Sequence, residues 1–412
     1  MRDKHRVVVT GLGMVTPLGI GAQSFWNGVT TKRVATAPVT RFDASGYTSQ
    51  VAAEISDFDP RDFLSAKRIR WTDRYSQFAI AASRLAFDDA KFSLNGNAAD
   101  VGVYLGSALG GLAHADEQAA IFHDKGLSAI HPLLALAVFG SASTCNIAIE
   151  FGLTGPTISN GNSCAAGAVA IGEAFRAIAR GEVRAALAGG VEAPLAPLIY
   201  GAFTVIQAMS TRNADPRHAS RPFDRDRDGF VMAEGAGVLM LERYEDAINR
   251  GASIYGEIAG YGLTNDAHHM AAPRADGEQT ARAFINAISE ADVRIDEIDA
   301  INAHGSSTRI GDAAESLAYR SVFGDRLAQI PVTSTKGQHG HALGATGAWE
   351  IGLALLGMRH GLLPGAINLD ELDADCAIAC SRDDLALSPR IVLANSSGFG
   401  GINAALILKA AA

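Results

Sequence analysis

Thr157-Ile-Ser-Asn-Gly-Asn-Ser-Cys164-Ala-Ala-Gly-Ala-Val-Ala170 passes from a β-like stretch through a turn into an Ala-rich helix. The second half holds a segment of the same kind. There Pro331-Val-Thr-Ser-Thr335 leads through Lys336-Gly-Gln-His-Gly340 to His341-Ala-Leu-Gly-Ala-Thr-Gly-Ala348. A strand that hands over to a helix on each side of the midpoint implies an α/β fold with helices packed on sheets, and a duplicated core. The first helix is apolar almost all round, as Ala165-Ala-Gly-Ala-Val-Ala-Ile-Gly172 shows, so it belongs between layers and not on a surface.

Outward from these segments the alternation continues. β-Branched runs predict strands at Val7–Thr10, Val101–Leu105, Ala185–Ala188, Gly235–Leu241, Ala300–Ala303, Ile391–Ala394 and Ala404–Leu408. Helical spacing predicts Asp73–Ala90, Ala165–Ala179, Glu278–Glu290, Asp312–Phe323 and Ala345–His360. A charged helix is expected over Glu242–Arg250, and the change of character there divides the chain into 1–250 and 251–412. Gly11-Leu-Gly13-Met-Val-Thr16 after the first strand invites a dinucleotide-binding reading. It fails because Thr16 stands where a small third residue belongs, and no acid lies about twenty residues on.

Composition narrows the function. The 412 residues are 48% hydrophobic and 19% charged, which suits a globular enzyme. A formal charge of −9 argues against nucleic-acid binding. No run approaches the roughly 20 apolar residues of a membrane span, and Met1-Arg-Asp-Lys-His-Arg leads directly into Val7 without the apolar run of a signal peptide, so a cytoplasmic protein is expected. In a reducing compartment the four cysteines form no disulfide framework. Cys376 and Cys380 lack a second ligand pair for zinc, and Cys145 reads as core filler.

Three segments carry candidate chemistry. A thiol at Cys164, in the first turn of its helix, would meet unpaired N–H groups and the positive end of the helix dipole, which favours the thiolate. Those N–H groups could also stabilise an oxyanion. A buried structural cysteine is an equal alternative. His304, in Ile301-Asn-Ala-His-Gly-Ser-Ser-Thr308, and His341 both stand on loops at strand ends, where α/β proteins place reactive groups. Each could equally be a solvated loop histidine. A metal site using His339 and His341 lacks an Asp, Glu or Cys partner at ligand spacing, so no metal is expected. Lys336 is either a surface lysine or a buried one that orients a histidine. In Asn395-Ser-Ser-Gly-Phe399-Gly-Gly-Ile-Asn403 a lone aromatic among glycines can swing, or the segment is a plain turn.

Taken in order, these segments resemble the β-ketoacyl-acyl-carrier-protein synthases, especially the elongating type. The resemblance covers nearly the whole chain. It includes Val8-Val-Thr-Gly-Leu-Gly-Met-Val-Thr-Pro-Leu-Gly19, Gly106-Ser-Ala-Leu-Gly-Gly111, Ala188-Gly-Gly-Val-Glu192, Met209-Ser-Thr-Arg-Asn213, Ser220-Arg-Pro-Phe-Asp224, Asp228-Gly-Phe-Val231 and Asp266-Ala-His-His-Met-Ala-Ala-Pro273. It implies a thiolase-type fold, a five-layered α-β-α-β-α core from two similar βαβαβαββ halves. The nucleophile lies on the first half and the histidine pair on the second.

The resemblance implies that Cys164 takes an acyl group from acyl carrier protein, with the N–H groups of Cys164 and Phe399 as oxyanion hole. Malonyl carrier protein then loses carbon dioxide beside His304 and His341, and the carbanion equivalent attacks the Cys164 thioester. Lys336, paired with Glu350, would hold the histidine geometry. Ser306 and Thr308 match positions that bind the phosphopantetheine arm, and Phe399 and Asp266–Pro273 match two gating loops. Leu109, Ser397, Gly398, Gly400 and Asp266 match substrate-binding positions. Lys67, Arg68 and Arg70 correspond to the segment that docks the acidic carrier. The resemblance implies no cofactor beyond the arm that arrives on the carrier, and a homodimer or a heterodimer with a ketosynthase-like partner.

The sequence departs from the elongating pattern at four places. Ser397 stands for a Phe, Ile402 for Thr, Arg309 for a common Pro and Trp349 for a smaller apolar residue. Loss of the aromatic beside the gate enlarges the acyl site unless Trp349 or Ile402 refills it. A ketosynthase of a polyketide or polyene pathway is the alternative function. A CoA-dependent thiolase would need a second cysteine near Phe399, and a non-catalytic chain-length partner would lack Cys164.

Overall fold

The computed structural model describes residues 5–94, 96 and 98–411. The first half runs β1 (Val7–Thr16), α1 (Arg74–Ala90), β2 (Val101–Gly106), α2 (Ala142–Phe151), β3 (Thr157–Asn160), α3 (Ala166–Ala179), β4 (Ala185–Glu192) and β5 (Gly235–Arg243). The second runs β6 (Gly256–Asn265), α4 (Glu278–Glu290), β7 (Ala300–Asn302), α5 (Arg309–Phe323), β8 (Pro331–Thr333), α6 (Thr346–His360), β9 (Ile391–Gly398) and β10 (Ile402–Ala410). The order of these strands and helices is the same in both, and further elements lie in the connections, among them the helix Leu112–Lys125.

Pairing repeats as well. The order across the sheet is β3-β2-β4-β5-β1 and then β6-β10-β9-β7-β8. β2 is parallel to β3 and β4, and β5 is antiparallel to β4 and β1. In the second half β7 is parallel to β8 and β9, and β10 is antiparallel to β9 and β6. The halves meet at a short antiparallel seam, Val7–Val9 of β1 against Gly256–Ile258 of β6.

Three apolar cores define the layers. The central one gathers α3 and α6 with β1, β4, β5, β6 and β10, so both helices lie between the two half-sheets. α1 and α2 cover the outer face of the first half, and α4 and α5 that of the second. The result is the expected five-layered α-β-α-β-α arrangement. Apolar area removed from water on both faces of each half-sheet supplies the main driving force, roughly 25 cal/mol per Å².

The glycine pair that suggested a dinucleotide loop has a packing role. A Cβ on Gly11 or Gly13 would stand 2.2 or 1.8 Å from a carbonyl oxygen of α1. Gly260 and Gly262 of β6 face α4 in the same way, at 2.2 and 2.0 Å. Bare backbone at these positions lets each outer helix lie directly on its strand.

Most predicted elements are found with shifted ends. Glu278–Glu290 agrees at both ends, and Asp73 caps α1 by accepting from Ser76 N at 3.1 Å. The charged helix is shorter than Glu242–Arg250, because β5 runs on through Arg243 and only Tyr244–Asn249 is helical. β6 was not predicted. Cys145, expected in the core, is only half-buried on α2. Among the described residues no helix is long and apolar enough to cross a membrane.

Candidate active site

Two turns of the same shape build the centre of the molecule. After β3, Asn162 (φ −75°, ψ 39°) enters a tight turn in which Ser163 takes φ 51°, and Cys164 follows just ahead of α3. After β8, Ala342 (φ −85°, ψ 39°) enters a turn in which Leu343 takes φ 42°, and Gly344 follows just ahead of α6. The partner of Cys164 in the repeat is therefore Gly344. His341 lies three residues before it. The second turn is preceded by an insertion, the short helix Lys336–His339 and Gly340, which delivers His341.

Cys164, His304, His341 and Phe399 line one cavity of about 330 Å³. Ser306, Thr308, Asp266, Ser397, Gly398 and Gly400 line it as well, so ten of the residues singled out in the sequence meet in one place. Of the four cysteines only Cys164 is on its wall. Phe203, Phe230, Ile310 and Leu343 supply apolar wall that the sequence did not mark out. Leu109 packs in the apolar cluster that holds Cys164 and Leu343, next to the cavity and not on its wall.

The histidine rings are 5.2 Å apart between centroids and nearly perpendicular. His304 is fixed through its backbone. Its N–H donates to Glu315 at 2.7 Å, and Lys336 Nζ donates to its carbonyl. Lys336 also binds Glu350, and both are buried, so it is the orienting lysine and not a surface one. His341 Nδ1 lies 3.0 Å from Thr346 Oγ1, at the start of α6. Burial, and then the Lys336 charge, holds both imidazoles well below their ordinary pKa, so they are neutral. Burial pushes the Glu350 carboxyl up to about 7, against the pull of Lys336. His339 is not part of the site: its ring nitrogens meet Thr335 and the Gly340 carbonyl, and its ring packs on Phe25 and Trp349.

The Cys164 thiol overturns the expectation of an acidic cysteine. Burial pushes it up to about 11, and the Glu192 carboxylate adds to that. The Ser163 hydroxyl, Lys336 and the Phe399 N–H work the other way without cancelling it. The turn favours an anion, but desolvation of sulfur outweighs it. That the Phe399 amide acts on the sulfur also places β9 and its following turn beside the nucleophile.

The two loops expected at the gate are tied to each other. Gly400 N donates to Met270 O at 2.7 Å, Asp266 N donates to Gly401 O at 2.8 Å, and Asn403 Nδ2 donates to Asp266 Oδ1 at 2.8 Å. The Phe399 ring stacks on Phe203 at 6.3 Å. Ser306 and Thr308 share a hydrogen bond of 2.9 Å. Arg309 begins α5, where a proline would lose no helical bond. Here its side chain binds the Arg227 carbonyl, while buried Arg227 returns bonds to the Thr308 and Arg309 carbonyls.

Two further departures fall outside the cavity. Trp349 is fully buried in the central core, against Phe25 and His339, and cannot refill the space at Ser397. Ile402 packs against the same core and also leaves the cavity wall unfilled. Ser397 itself reaches Asn403 Oδ1 at 3.3 Å. Of the docking cluster, Lys67 is exposed beside Trp71 and Arg70 is exposed, but Arg68 is engaged with Glu150 at 3.0 Å and with Asn146. Arg68 joins the Ala66–Trp71 helix to α2 and offers no free charge.

Residues 4–247 match the model of the β-ketoacyl synthase N-terminal domain, and residues 255–370 that of the C-terminal domain. The chain belongs to the β-ketoacyl synthase family. It is thus an acyltransferase that forms carbon–carbon bonds. This synthase is 41% identical to 3-oxoacyl-[acyl-carrier-protein] synthase 2 of Synechocystis sp., over 99% of its length and 98% of the relative's. It is 39% identical to the protein of the same name from Coxiella burnetii, with 99% of each covered. Among solved structures, the ishigamide ketosynthase/chain length factor superposes with a TM-score of 0.93 at 33% identity, covering 99% of this chain and all of that one. A type II polyketide acyl-carrier protein in complex with its ketosynthase gives 0.89 at 33% identity, with the same coverage.

Glu315 was missed as a site residue. It receives His304 N, Gly305 N, the Tyr319 hydroxyl and Asn395 Nδ2, and so fixes the histidine loop from behind. Its signal was an acid on the buried face of the helix that follows that loop.

Proposed function

We propose that this synthase extends acyl chains held on acyl carrier protein, with Cys164 as nucleophile and His304 and His341 serving the malonyl half-reaction. The observation that carries this is the convergence of Cys164, both histidines and Phe399 on one cavity. The Cys164 sulfur attacks the thioester carbonyl of the acyl carrier, the carrier thiol leaves, and the sulfur's proton ends on that thiol. Because the resting thiol is protonated near neutral pH, the neutral imidazoles on the cavity wall are the groups that can take the proton as the S–C bond forms. The Cys164 and Phe399 amides hold the oxyanion.

Malonyl carrier protein follows. Its C–C bond to the carboxylate breaks, carbon dioxide leaves, and the electron pair becomes an enolate that neutral His304 and His341 stabilise by donating hydrogen bonds. Donation to the enolate from Nε2 requires Thr346 Oγ1 to donate to His341 Nδ1, and the two lie 3.0 Å apart. The enolate carbon attacks the Cys164 thioester, the C–S bond breaks, Cys164 leaves as the thiolate and takes a proton from solvent, and a 3-oxoacyl carrier forms. Lys336 and Glu350 hold the His304 loop, Ser306 and Thr308 hold the phosphopantetheine arm, and Phe399 with Asp266–Pro273 gates the cavity. Ser397, Gly398 and Gly400 shape the acyl end. The enzyme needs no cofactor of its own and no metal in this scheme. The nucleophile belongs to a half at 1–250 and the histidines to a half at 251–412, a division supported by the short seam between β1 and β6. Lys67 and Arg70 meet the acidic carrier. A cytoplasmic homodimer, or a pair with a ketosynthase-like partner, completes the reading.

The test uses acyl and malonyl carriers with mass spectrometry of the enzyme. His304→Ala and His341→Ala should each slow condensation roughly 10²–10³-fold, while at least one still acquires the acyl group on Cys164. Loss of acylation in both folded variants would overturn the division of roles.

A polyketide-type substrate is favoured by one observation. Ser397 lines the cavity with a short side chain, and neither Trp349 nor Ile402 replaces the missing ring. Ser397→Phe should lower turnover of bulky acyl chains relative to short saturated ones by roughly tenfold or more, since a misfit group changes binding by about 1–3 kcal/mol. Equal product ratios in a mixed-substrate competition would return the enzyme to ordinary fatty-acid elongation.

A further inference from the structure

Glu192 is a buried carboxyl with no salt-bridge partner among the described residues, and burial pushes it up to about 7 against the pull of the donors around it, so the anion prevails above neutral pH. It ends β4, on the first half of the chain, yet it reaches into the second. Its Oε2 receives Gly344 N at 3.0 Å and Ala108 N at 2.7 Å, and its Oε1 receives Leu109 N at 3.0 Å and Ser107 Oγ at 2.9 Å. Four donors converge on one anion. One of them is the amide at the repeat position of Cys164, three residues after His341 in the chain. The fit leaves no spare room: a Cβ on Gly344 would stand 2.9 Å from Glu192 Oε2 and 2.8 Å from Ala108 N.

We propose that Glu192 is a positioning residue for condensation, an internal anion that fills the amide cradle of the second turn, clamps the His341–Gly344 turn to the Ser107–Leu109 wall, and sets its negative charge beside the cluster that holds Cys164. The clamp function rests on the condensation reading above, whereas the effect on the thiol stands apart from it. Two effects are combined in one side chain. The reach of the carboxylate sets where the His341 turn sits relative to the first half. Its charge acts on the Cys164 sulfur across the cluster that also contains Leu343.

The charged and titratable groups around the pair are few. Tyr75 on α1 feels Glu192 and is itself raised, chiefly by burial. Cys164 also feels Lys336, the Ser163 hydroxyl and the Phe399 amide, and it shares its cavity with neutral His304 and His341. Removing the Glu192 charge takes away the one nearby charge that raises the sulfur, and burial alone then opposes Lys336. The thiol pKa then falls, and more thiolate is present at any given pH.

Charge and reach separate in two variants. Glu192→Gln removes the charge and turns an NH₂ toward donors that need an acceptor. Iodoacetamide alkylation of Cys164, followed by peptide mapping across pH 8–9 where the Glu192 carboxyl is ionised, should run roughly threefold faster or more at each pH. Condensation should slow about tenfold with the KM for the acyl carrier unchanged. Glu192→Asp keeps the charge but withdraws the oxygens by one methylene, so the alkylation profile should match wild type while condensation still slows. A purely structural role would lower the melting temperature in both without moving the alkylation profile. Wild-type alkylation in a folded Glu192→Gln protein therefore overturns the proposal, as does full condensation by Glu192→Asp, which also decides the matter should the Gln variant not fold. If wild type fails to condense carrier substrates, the functional reading is what fails, and the alkylation comparison still tests the charge effect.

Discussion

The two strand–turn–helix units share a backbone and differ in what they do with it. Both turns place a positive-φ residue ahead of a short 3₁₀ segment that flows into a central helix. In the first, the next residue is Cys164, and among the described residues no side chain accepts from its amide. In the second, the next residue is Gly344, and its amide is taken by Glu192. The second unit has also gained the Lys336–Gly340 insertion, which brings in His341 and the lysine that supports His304. Duplication thus supplied two equivalent cradles for negative charge. One was kept open beside a nucleophile, and the other was filled from within and put to structural use. Fold symmetry and chemical asymmetry coexist because a single side chain decides what each cradle faces.

The largest test exchanges the two units' roles. Cys164→Ala should lower condensation by at least about 10³-fold. Adding Gly344→Cys should not restore it, because the new Cβ would meet Ala108 N, Ser107 Cα and Glu192 Oε2 at 2.8–2.9 Å. Gly344→Cys alone should cost roughly 1–3 kcal/mol of stability, as overpacking does elsewhere. Recovered activity in the double variant, read with acyl and malonyl carriers, would show that the second cradle is as usable as the first.

The next test concerns the open cradle by itself. With its thiol near 11, Cys164 should be alkylated about tenfold faster for each unit rise in pH across 7–9, without a plateau. The sign follows from burial, which raises the pKa and leaves thiolate scarce until the pH approaches it. Cys376 and Cys380, pushed up to about 12 by burial, should react more slowly throughout. A plateau near pH 7 would mean that the turn and helix dipole outweigh desolvation after all.

The smallest effect lies at the surface of the first half. Lys67→Glu with Arg70→Glu should raise the KM for acyl carrier protein several-fold at low salt and lose that effect as salt screens it. Arg68→Ala should instead act on stability, by about 1 kcal/mol or less, through its ion pair with Glu150. A carrier KM that responds to Arg68 and not to the other two would reverse this assignment.

How much of this could be read beforehand depended on range. Alternating β-branched and Ala-rich runs mark out most core strands and all the central and outer helices named from them, because burial on both faces leaves a clear apolar signature. β6 carries a weak strand signature because Gly260 and Gly262 interrupt its apolar run, although a helix packed on bare strand backbone is what requires them. The site residues on turns were legible through their neighbours in sequence. Glu192 and Glu315 were not, since each acts on loops brought near it only by the fold. The acidity of Cys164 was misjudged for a related reason: the dipole argument is local, but desolvation depends on the whole cluster around the sulfur. Arg68 shows the same limit, being paired with a residue on another helix.

The seam between β1 and β6 is only three residues long on each strand, yet the halves are not independent bodies. α3 and α6 lie back to back, close enough that a Cβ on Gly167 would stand 2.6 Å from the Gly344 carbonyl, and the apolar core around them draws on both half-sheets. Either half alone would leave its inner helix and sheet face uncovered, with the surrounding water bearing the cost. Neither can melt without stripping the other, so a molecule built by repetition loses its order in one cooperative step.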